Sequence, residues 1–479
     1  MPSGRPRPAA SLVRSRIERR TGANSMTAVE DTIFALSSGS GRSGVAVIRV
    51  SGPQAAYAVE TLTGKPPPRP RLASYRRLTH PGHDTLIDRG LVLYFAAPRS
   101  VTGEEMAEFQ VHGGRAVLAA MVDALQHAGL RPAVAGEFTR RAFANGKLDL
   151  TEVEGLADLV AAETEAQRRQ AMRQMSGALG RLYDDWRRTL IKALAVLEAA
   201  IDFADEDLPA TLVDRVDPLV GGVESAIANH LADGRRGERL RDGVSMAILG
   251  LPNVGKSSLL NALARRDAAI VSETSGTTRD VIEVRLDLDG VPVTLMDTAG
   301  LRENTDAVET EGVRRARRHA EEADLRLWVF DIREGVDGLP PGIELRADDV
   351  LVANKLDLFS DVAEGAKMPP RGPVDPGASV FAVSLKEGLG VAALVEGLAD
   401  RVRNIAEVSE APALTRQRHR TALEACRAAL MSSRDRGGGD LALWAENIRL
   451  AARHLGRLTG RVDVEDVLDA IFSEFCIGK

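Results

Sequence analysis

Gly250-Leu-Pro-Asn-Val-Gly-Lys-Ser257 fits G-x-x-x-x-G-K-[ST], the spacing of a phosphate-binding loop. The apolar run before it, Met246-Ala-Ile-Leu249, predicts a buried strand, and Ser257-Ser-Leu-Leu-Asn-Ala-Leu263 predicts the helix after it. Glycines let such a loop turn its N–H groups toward a phosphate chain, and the helix N-terminus adds partial positive charge. Lys256 is placed to reach the outer phosphates and the Ser257 hydroxyl to hold magnesium. Asn253, Val254, Gly255 and Ser258 complete the loop.

Further motifs follow in a fixed order. Ser272-Glu-Thr-Ser-Gly-Thr-Thr278 supplies Thr277 and Thr278, hydroxyls that can complete a magnesium shell and sense the third phosphate. Two apolar runs flank Asp289-Gly290 and predict a hairpin. Its second strand ends in Asp297-Thr298-Ala299-Gly300, where an acid can hold magnesium through water and a glycine N–H can meet the third phosphate. Leu325–Phe330 and Asp348–Ala353 predict buried strands, the second leading into Asn354-Lys355-Leu-Asp357. Val380–Val383 leads into Ser384-Leu385-Lys386. Asp357 decides the base: a carboxylate there can accept from guanine's ring N–H and exocyclic amine together, and adenine offers no such pair. These motifs, each at a strand end, resemble the Ras-like GTPase domain of the translation-factor-related class. One departure matters. Where Ras has the glutamine that orients the attacking water, this chain has Leu301. Arg302, Glu303, Glu309 and Glu311 lie on the segment that follows and are the candidates to replace it.

The chain has 479 residues, 44% hydrophobic and 27% charged, with net charge −6. Two to four domains are expected. The mild acidity advertises no nucleic-acid-binding field. Cys426 and Cys476 make neither a disulfide framework nor a metal cluster, and a reducing cytoplasm is the simplest compartment. No run is long and apolar enough to span a bilayer. Residues 1–27 carry six arginines against one acid, Glu18. They are read as a disordered basic tail, or as sequence upstream of a start at Met26, rather than a transit peptide. Residues 28–147 mix strands and helices as a compact α+β module, in which Arg49, Glu108, His112 and Lys147 read, from the residues alone, as surface charges on strand faces. Residues 148–242 are helical. Glu165 to Ala199 is read as one continuous pattern, with an apolar stripe of Leu179, Leu182, Trp186, Leu190, Leu194 and Leu197. Residues 243–406 hold the nucleotide motifs in a mixed six-stranded sheet. Residues 407–479 return to helix and complete the bundle, so the nucleotide domain is an insertion. The fold class expected is therefore α/β plus α.

Gly41-Arg-Ser-Gly-Val-Ala-Val-Ile-Arg-Val-Ser-Gly52, Gly136-Glu-Phe-Thr-Arg-Arg-Ala-Phe143, Asn145-Gly-Lys-Leu-Asp-Leu150, Gly276-Thr-Thr-Arg-Asp280 and the terminal Cys476-Ile-Gly-Lys479 resemble the MnmE (TrmE) family, bacterial and organellar GTPases of tRNA wobble-uridine modification. The resemblance runs from Asp31 to the end. It implies an N-terminal domain that dimerises and binds 5-formyltetrahydrofolate or a related folate through Arg49, Glu108, Lys147 and Lys479, with Cys476 nearby. It implies potassium at Asn253, Ser272, Thr274 and Thr277, magnesium at Ser257 and Thr278, and nucleotide contacts from Ser272 to Thr278, Glu273, Ser275 and Gly276 included. Glu309 is implied as the group orienting water, with Glu311 as the fallback; Arg302 stays a catalytic candidate from its place on the same segment. A flavin-bearing partner, MnmG, in a heterotetramer or larger, and tRNA are implied as well, and no membrane. The loop Ser37 to Gly44 departs from the family in lacking its prolines. A ribosome-assembly GTPase acting as a binding switch shares the asparagine loop. It would carry an RNA-binding module where this chain has helices and Cys-Ile-Gly-Lys.

Overall fold

The computed structural model describes residues 31–39, 41–203, 210–264, 283–297, 321, 323–335, 345–358, 379–406, 412–435, 440–462, 465–473, 475 and 478. The chain divides into two compact units, Met1–Leu148 with Glu465–Lys479, and Asp149–Val464.

The first unit is built on a six-stranded sheet of β1 (Ile33–Leu36), β2 (Ser43–Ser51), β3 (Ser74–Thr79), β4 (Leu86–Phe95), β5 (Met106–Gly113) and β6 (Arg131–Pro132), in the order β3-β4-β5-β2-β1-β6. All neighbours are antiparallel except β1 and β6. Alternation along the strands sends Ile48, Val50, Leu78, Val92 and Phe109 to one face, where α1 (Ala55–Thr63) and α2 (Arg115–His127) bury them. Part of the opposite face is covered by α3 (Glu137–Ala144), whose Phe138 packs with Ile33, Ala35 and Ala133. The mix of strands and helices expected over residues 28–147 is present. The segment 465–479, counted with the helical bundle in the sequence reading, groups with this unit. Phe472 of its helix (Glu465–Ser473) is buried with its ring 6.4 Å from that of Phe143, and Arg140 reaches Asp469 at 2.6 Å.

In the second unit α4 (Leu150–Ala161) and α5 (Glu165–Met175) each open on a capping box. Asp149 and Glu152 exchange side-chain-to-backbone bonds at 2.9 and 2.7 Å, and Thr164 pairs with Gln167 in the same way. The continuous helix expected over 165–199 is two helices, because the chain breaks at Ser176-Gly177 before α6 (Ala178–Asp202). The predicted stripe on α6 holds. Leu179, Leu190 and Leu197 are fully buried, and Leu182, Trp186 and Leu194 pack beside them. They meet α7 (Val216–Leu231) and two helices from beyond the nucleotide domain, Gln417–Asp435 and Leu441–Leu458, in one core. A polar knot sits against this core. Glu154, with no exposed side-chain surface, accepts from Arg418 at 2.5 and 2.7 Å and contacts His419 Nε2 at 2.8 Å. Burial alone would push its carboxyl up. The charges of Arg418 and His419 outweigh that and hold it far below the usual carboxylate range.

The nucleotide domain emerges from α8 (Arg236–Asp242). Its strands are β7 (Val244–Leu249), β8 (Glu283–Leu288), β9 (Val291–Asp297), β10 (Leu325–Asp331), β11 (Val350–Asn354) and β12 (Ser379–Ala382), ordered β12-β11-β10-β7-β9-β8. Every pair is parallel except β8 with β9 at the edge. The helix after the phosphate loop is α9 (Lys256–Ala264), and α10 (Val391–Ile405) packs on the same sheet. The Asp-Gly hairpin forms as expected, with Asp289 and Gly290 at φ 55° and 87°. At the root of the domain Asp324 accepts from Ser245 N and Oγ at 3.0 and 2.8 Å and from Arg239 Nε at 2.8 Å. One carboxylate thus joins β7, the start of β10 and α8.

Removing the carboxylate from the knot strands buried cations, so Glu154→Ala is expected to cost about 3–5 kcal/mol in denaturant unfolding. A pH effect follows from His230, whose imidazole is pushed down to about 4, chiefly by burial. Between the ordinary histidine value near 6.5 and that value the unfolded chain binds a proton that the folded chain refuses, so stability falls as pH drops through this window. Melting temperature is expected to decline from pH 7 to pH 4, with a shallower slope in His230→Gln. Equal slopes would contradict the assignment.

Candidate functional site: a nucleotide pocket at the strand ends

The phosphate loop runs from the end of β7 into α9. Asn253 and Gly255 take φ 62° and 109°, turning the chain tightly around Lys256. Gly255 is required twice over, since a Cβ there would lie 2.2 Å from Asn354 Nδ2 in a conformation that side chains avoid. Lys256 is buried and donates to Gly250 O at 2.8 Å and Leu251 O at 2.7 Å, which folds its ammonium over the loop. Ser257 and Ser258 are exposed at the first turn of α9, where helical N–H groups lack intrahelical acceptors. This is a cradle suited to phosphate, with a hydroxyl at its mouth. Among the described residues no group of three or more His, Cys, Asp and Glu could hold a metal ion.

Asn354, buried at the end of β11, joins three segments. Its Nδ2 donates to Val254 O at 2.8 Å in the phosphate loop, and its Oδ1 accepts from Leu385 N at 3.2 Å. Beside it Asp357 Oδ1 accepts from Ser384 Oγ at 2.7 Å. Among the described residues no bond to Asp357 Oδ2 is seen, and the residue is half-buried, so that oxygen is left as an acceptor. Lys355 takes φ 67°, and its ammonium lies 3.0 Å from Asp331 Oδ2. Lys386 is exposed. The backbone of Asp297 pairs with Ile248, two residues before the loop begins. Ser272, Glu273, Thr274, Ser275, Gly276, Thr277, Thr278, Thr298, Ala299, Gly300, Arg302 and Glu309 lie outside the described residues, as do Cys476 and Lys479. Asp331 is the residue that sequence reasoning missed. Its only signal was an acid ending a mostly apolar strand, as Asp297 does.

The N-terminal unit brings a second set of residues together. Arg49 on β2 and Glu108 on β5 are register partners, and both Nε and Nη2 of Arg49 reach Glu108 Oε1, at 3.1 and 3.0 Å. The Arg49 guanidinium also lies 5.8 Å from the Phe138 ring. Phe138 is held by its own motif, because buried Arg141 bonds Asp31, Glu104 and Glu137. Lys147 is exposed and donates to Pro98 O at 2.9 Å, while neighbouring Asn145 donates to Thr102 O at 2.7 Å. His112 pairs instead with Asp88 at 2.9 Å. The chain end docks at β1. Ser37 Oγ donates to Gly478 O at 2.9 Å, and at Gly478, φ 100°, a Cβ would lie 2.1 Å from Leu36 O. Only glycine fits there, and Ala35, one residue before Leu36, is the register partner of Arg49.

A parallel sheet with one antiparallel edge, a lysine-bearing phosphate loop and an Asn-Lys-x-Asp corner together define a P-loop GTPase fold. The family is narrower than that. The models for the GTP-binding protein TrmE N-terminus and the MnmE helical domain match residues 32–147 and 150–476. The chain is similar to the tRNA modification GTPase MnmE of Parvibaculum lavamentivorans, 55% identical over 94% of this chain and all of that one, and to that of Maricaulis maris, 52% identical over 94% and 99%. It is also similar to a mitochondrial 5-taurinomethyluridine-[tRNA] synthase subunit of Danio rerio, 48% identical over 94% and 93%. The chain belongs to the MnmE family of tRNA modification GTPases.

Asn354→Ala removes two hydrogen bonds worth about 1 kcal/mol each and unties the loops, so GDP affinity measured by calorimetry is expected to fall roughly 10–100-fold. Gly478→Ala is expected to release the chain end, read as faster amide exchange at residues 33–37, with the nucleotide pocket unaffected.

Proposed function

We propose that this protein hydrolyses GTP to drive modification of the wobble uridine in tRNA. The observation that carries the reading is the corner formed by Asn354, Asp357 and Ser384. A hydroxyl fixes one carboxylate oxygen, the other stays open to guanine, and the same element is bonded to the phosphate loop. A phosphate chain on the loop would lie against Lys256 and the first turn of α9. Bound magnesium, held by Ser257 and Thr278, supplies positive charge for the departing phosphate. Leu301 cannot orient water; the family resemblance gives that task to Glu309, with Arg302 on the same segment as a further candidate. Potassium at Asn253, Ser272, Thr274 and Thr277 supplies the charge that an arginine finger brings elsewhere. Asn253, exposed in the phosphate loop at φ 62°, supports this, because its side chain is accessible to an ion bound there.

In the N-terminal domain Arg49, Glu108, Lys147 and Lys479 hold a folate as one-carbon donor. A carboxylate and basic groups suit the pterin edge and the glutamate tail. The docking of Gly478 beside β1 supports a place for Lys479 there. The partly open sheet face, with Tyr75 69% and Val45 58% exposed, supports dimerisation through this domain. Among the described residues no helix is long and apolar enough to cross a membrane. A flavoprotein partner of the MnmG type completes the modification, in the cytoplasm. A ribosome-assembly switch is the weaker reading, because family models cover both the N-terminal and helical regions.

GTP turnover is expected to be at least about tenfold faster in potassium than in sodium buffer, reflecting direct stabilisation of developing charge. Equal rates would remove potassium from the site. Glu309→Ala is expected to lower kcat by about 100-fold with GTP affinity retained. Unmodified wobble uridine in tRNA from cells lacking the gene is the expected cellular result.

A further inference from the structure

β10 is buried along its whole length and ends in Asp331, a carboxylate only 2% exposed. A buried acid at a strand end needs partners, and this one has an ordered set. Oδ1 accepts from the backbone N–H of Arg333 at 3.0 Å and from its Nε at 2.9 Å. Oδ2 accepts from Arg333 Nη2 at 2.6 Å and contacts Lys355 Nζ at 3.0 Å. Arg333, then Lys355, hold the carboxyl well below the usual range against the opposing effect of burial. The arginine fixes the carboxylate in one orientation, and the carboxylate presents its remaining edge to the lysine.

Lys355 carries a flexible four-carbon stem whose free rotation must be lost before it can help bind anything. Asp331 is the register partner of Asn354, so the acid stands immediately beside the element from which Lys355 projects. Two residues on, Asp357 offers its open oxygen. We propose that Asp331 is a positioning residue of the base site. Its carboxylate fixes the Lys355 side chain as a preformed wall next to Asp357, and so sets affinity for the guanine nucleotide without taking part in hydrolysis. This rests on the GTPase reading above.

The test uses the full-length protein, with equilibrium binding of GDP and steady-state GTP turnover. Wild-type protein that binds no guanine nucleotide would defeat the GTPase reading itself. If wild type binds, Asp331→Asn is expected to weaken GDP binding and raise KM about 5–20-fold, with the loss in kcat at saturating GTP under about threefold. Lys355→Met, which keeps the stem and drops the ammonium, is expected to lose a similar factor. The double variant is expected to lose no more than the larger single loss, because both substitutions break one interaction. Additive losses, or a kcat defect with KM unchanged, would overturn the proposal. Arg333→Ala is the second probe should Asp331→Asn fold poorly: it leaves the carboxylate in place and is expected to show a smaller KM increase, and an unchanged KM would count against the fixed carboxylate.

Discussion

The nucleotide pocket depends on one amide. Asn354 is buried at the end of an interior parallel strand, and its two polar ends face different segments of the chain. An amide suits this place because it donates and accepts at once without charge; a carboxylate could not give its hydrogen to Val254 O. Through it the loop that surrounds phosphate and the loops that surround the base become one rigid object. Gly255 is the counterpart of that choice, since the amide occupies the space where any side chain at 255 would go.

The same economy recurs elsewhere. Asp324 ties the nucleotide domain to α8, and Glu154 ties α4 to the helix after the domain. Both sites use a single carboxylate with several donors, which costs desolvation but fixes direction. In the N-terminal unit Arg141 plays the reciprocal part, one guanidinium shared among three acids, and so sets Phe138 over Arg49. Arg49 is half-enclosed rather than freely solvated, with its guanidinium held in place by Glu108.

Much of this was legible in the chain itself. Parallel strands covered on both faces read as continuous apolar runs, so β7, β10 and β11 stood out. The hairpin followed from its Asp-Gly turn between two apolar runs, and the stripe on α6 from its spacing. The break at Ser176-Gly177 did not, because the apolar spacing continues in phase across it. The edge strand Ser74-Tyr-Arg-Arg-Leu-Thr79 buries one leucine fully and looks like loop. Long-range pairings were invisible for a plainer reason. Arg49 and Glu108 read as separate surface charges until strand register set them opposite each other. Asp331 drew no reading at all until β10 and β11 were laid side by side.

The claim on which the account rests is that one fixed carboxylate, Asp357, chooses the base. Competition binding of GTP, ATP and XTP to wild-type protein and to Asp357→Asn tests it directly. Wild type should prefer GTP over ATP by at least about 100-fold, because ATP leaves a half-buried carboxylate unpaired. The asparagine variant should lose GTP and gain XTP, whose exocyclic C2 carbonyl accepts where guanine's amine donates. Equal wild-type affinity for ATP and GTP, or a variant with unaltered preference, would contradict the account.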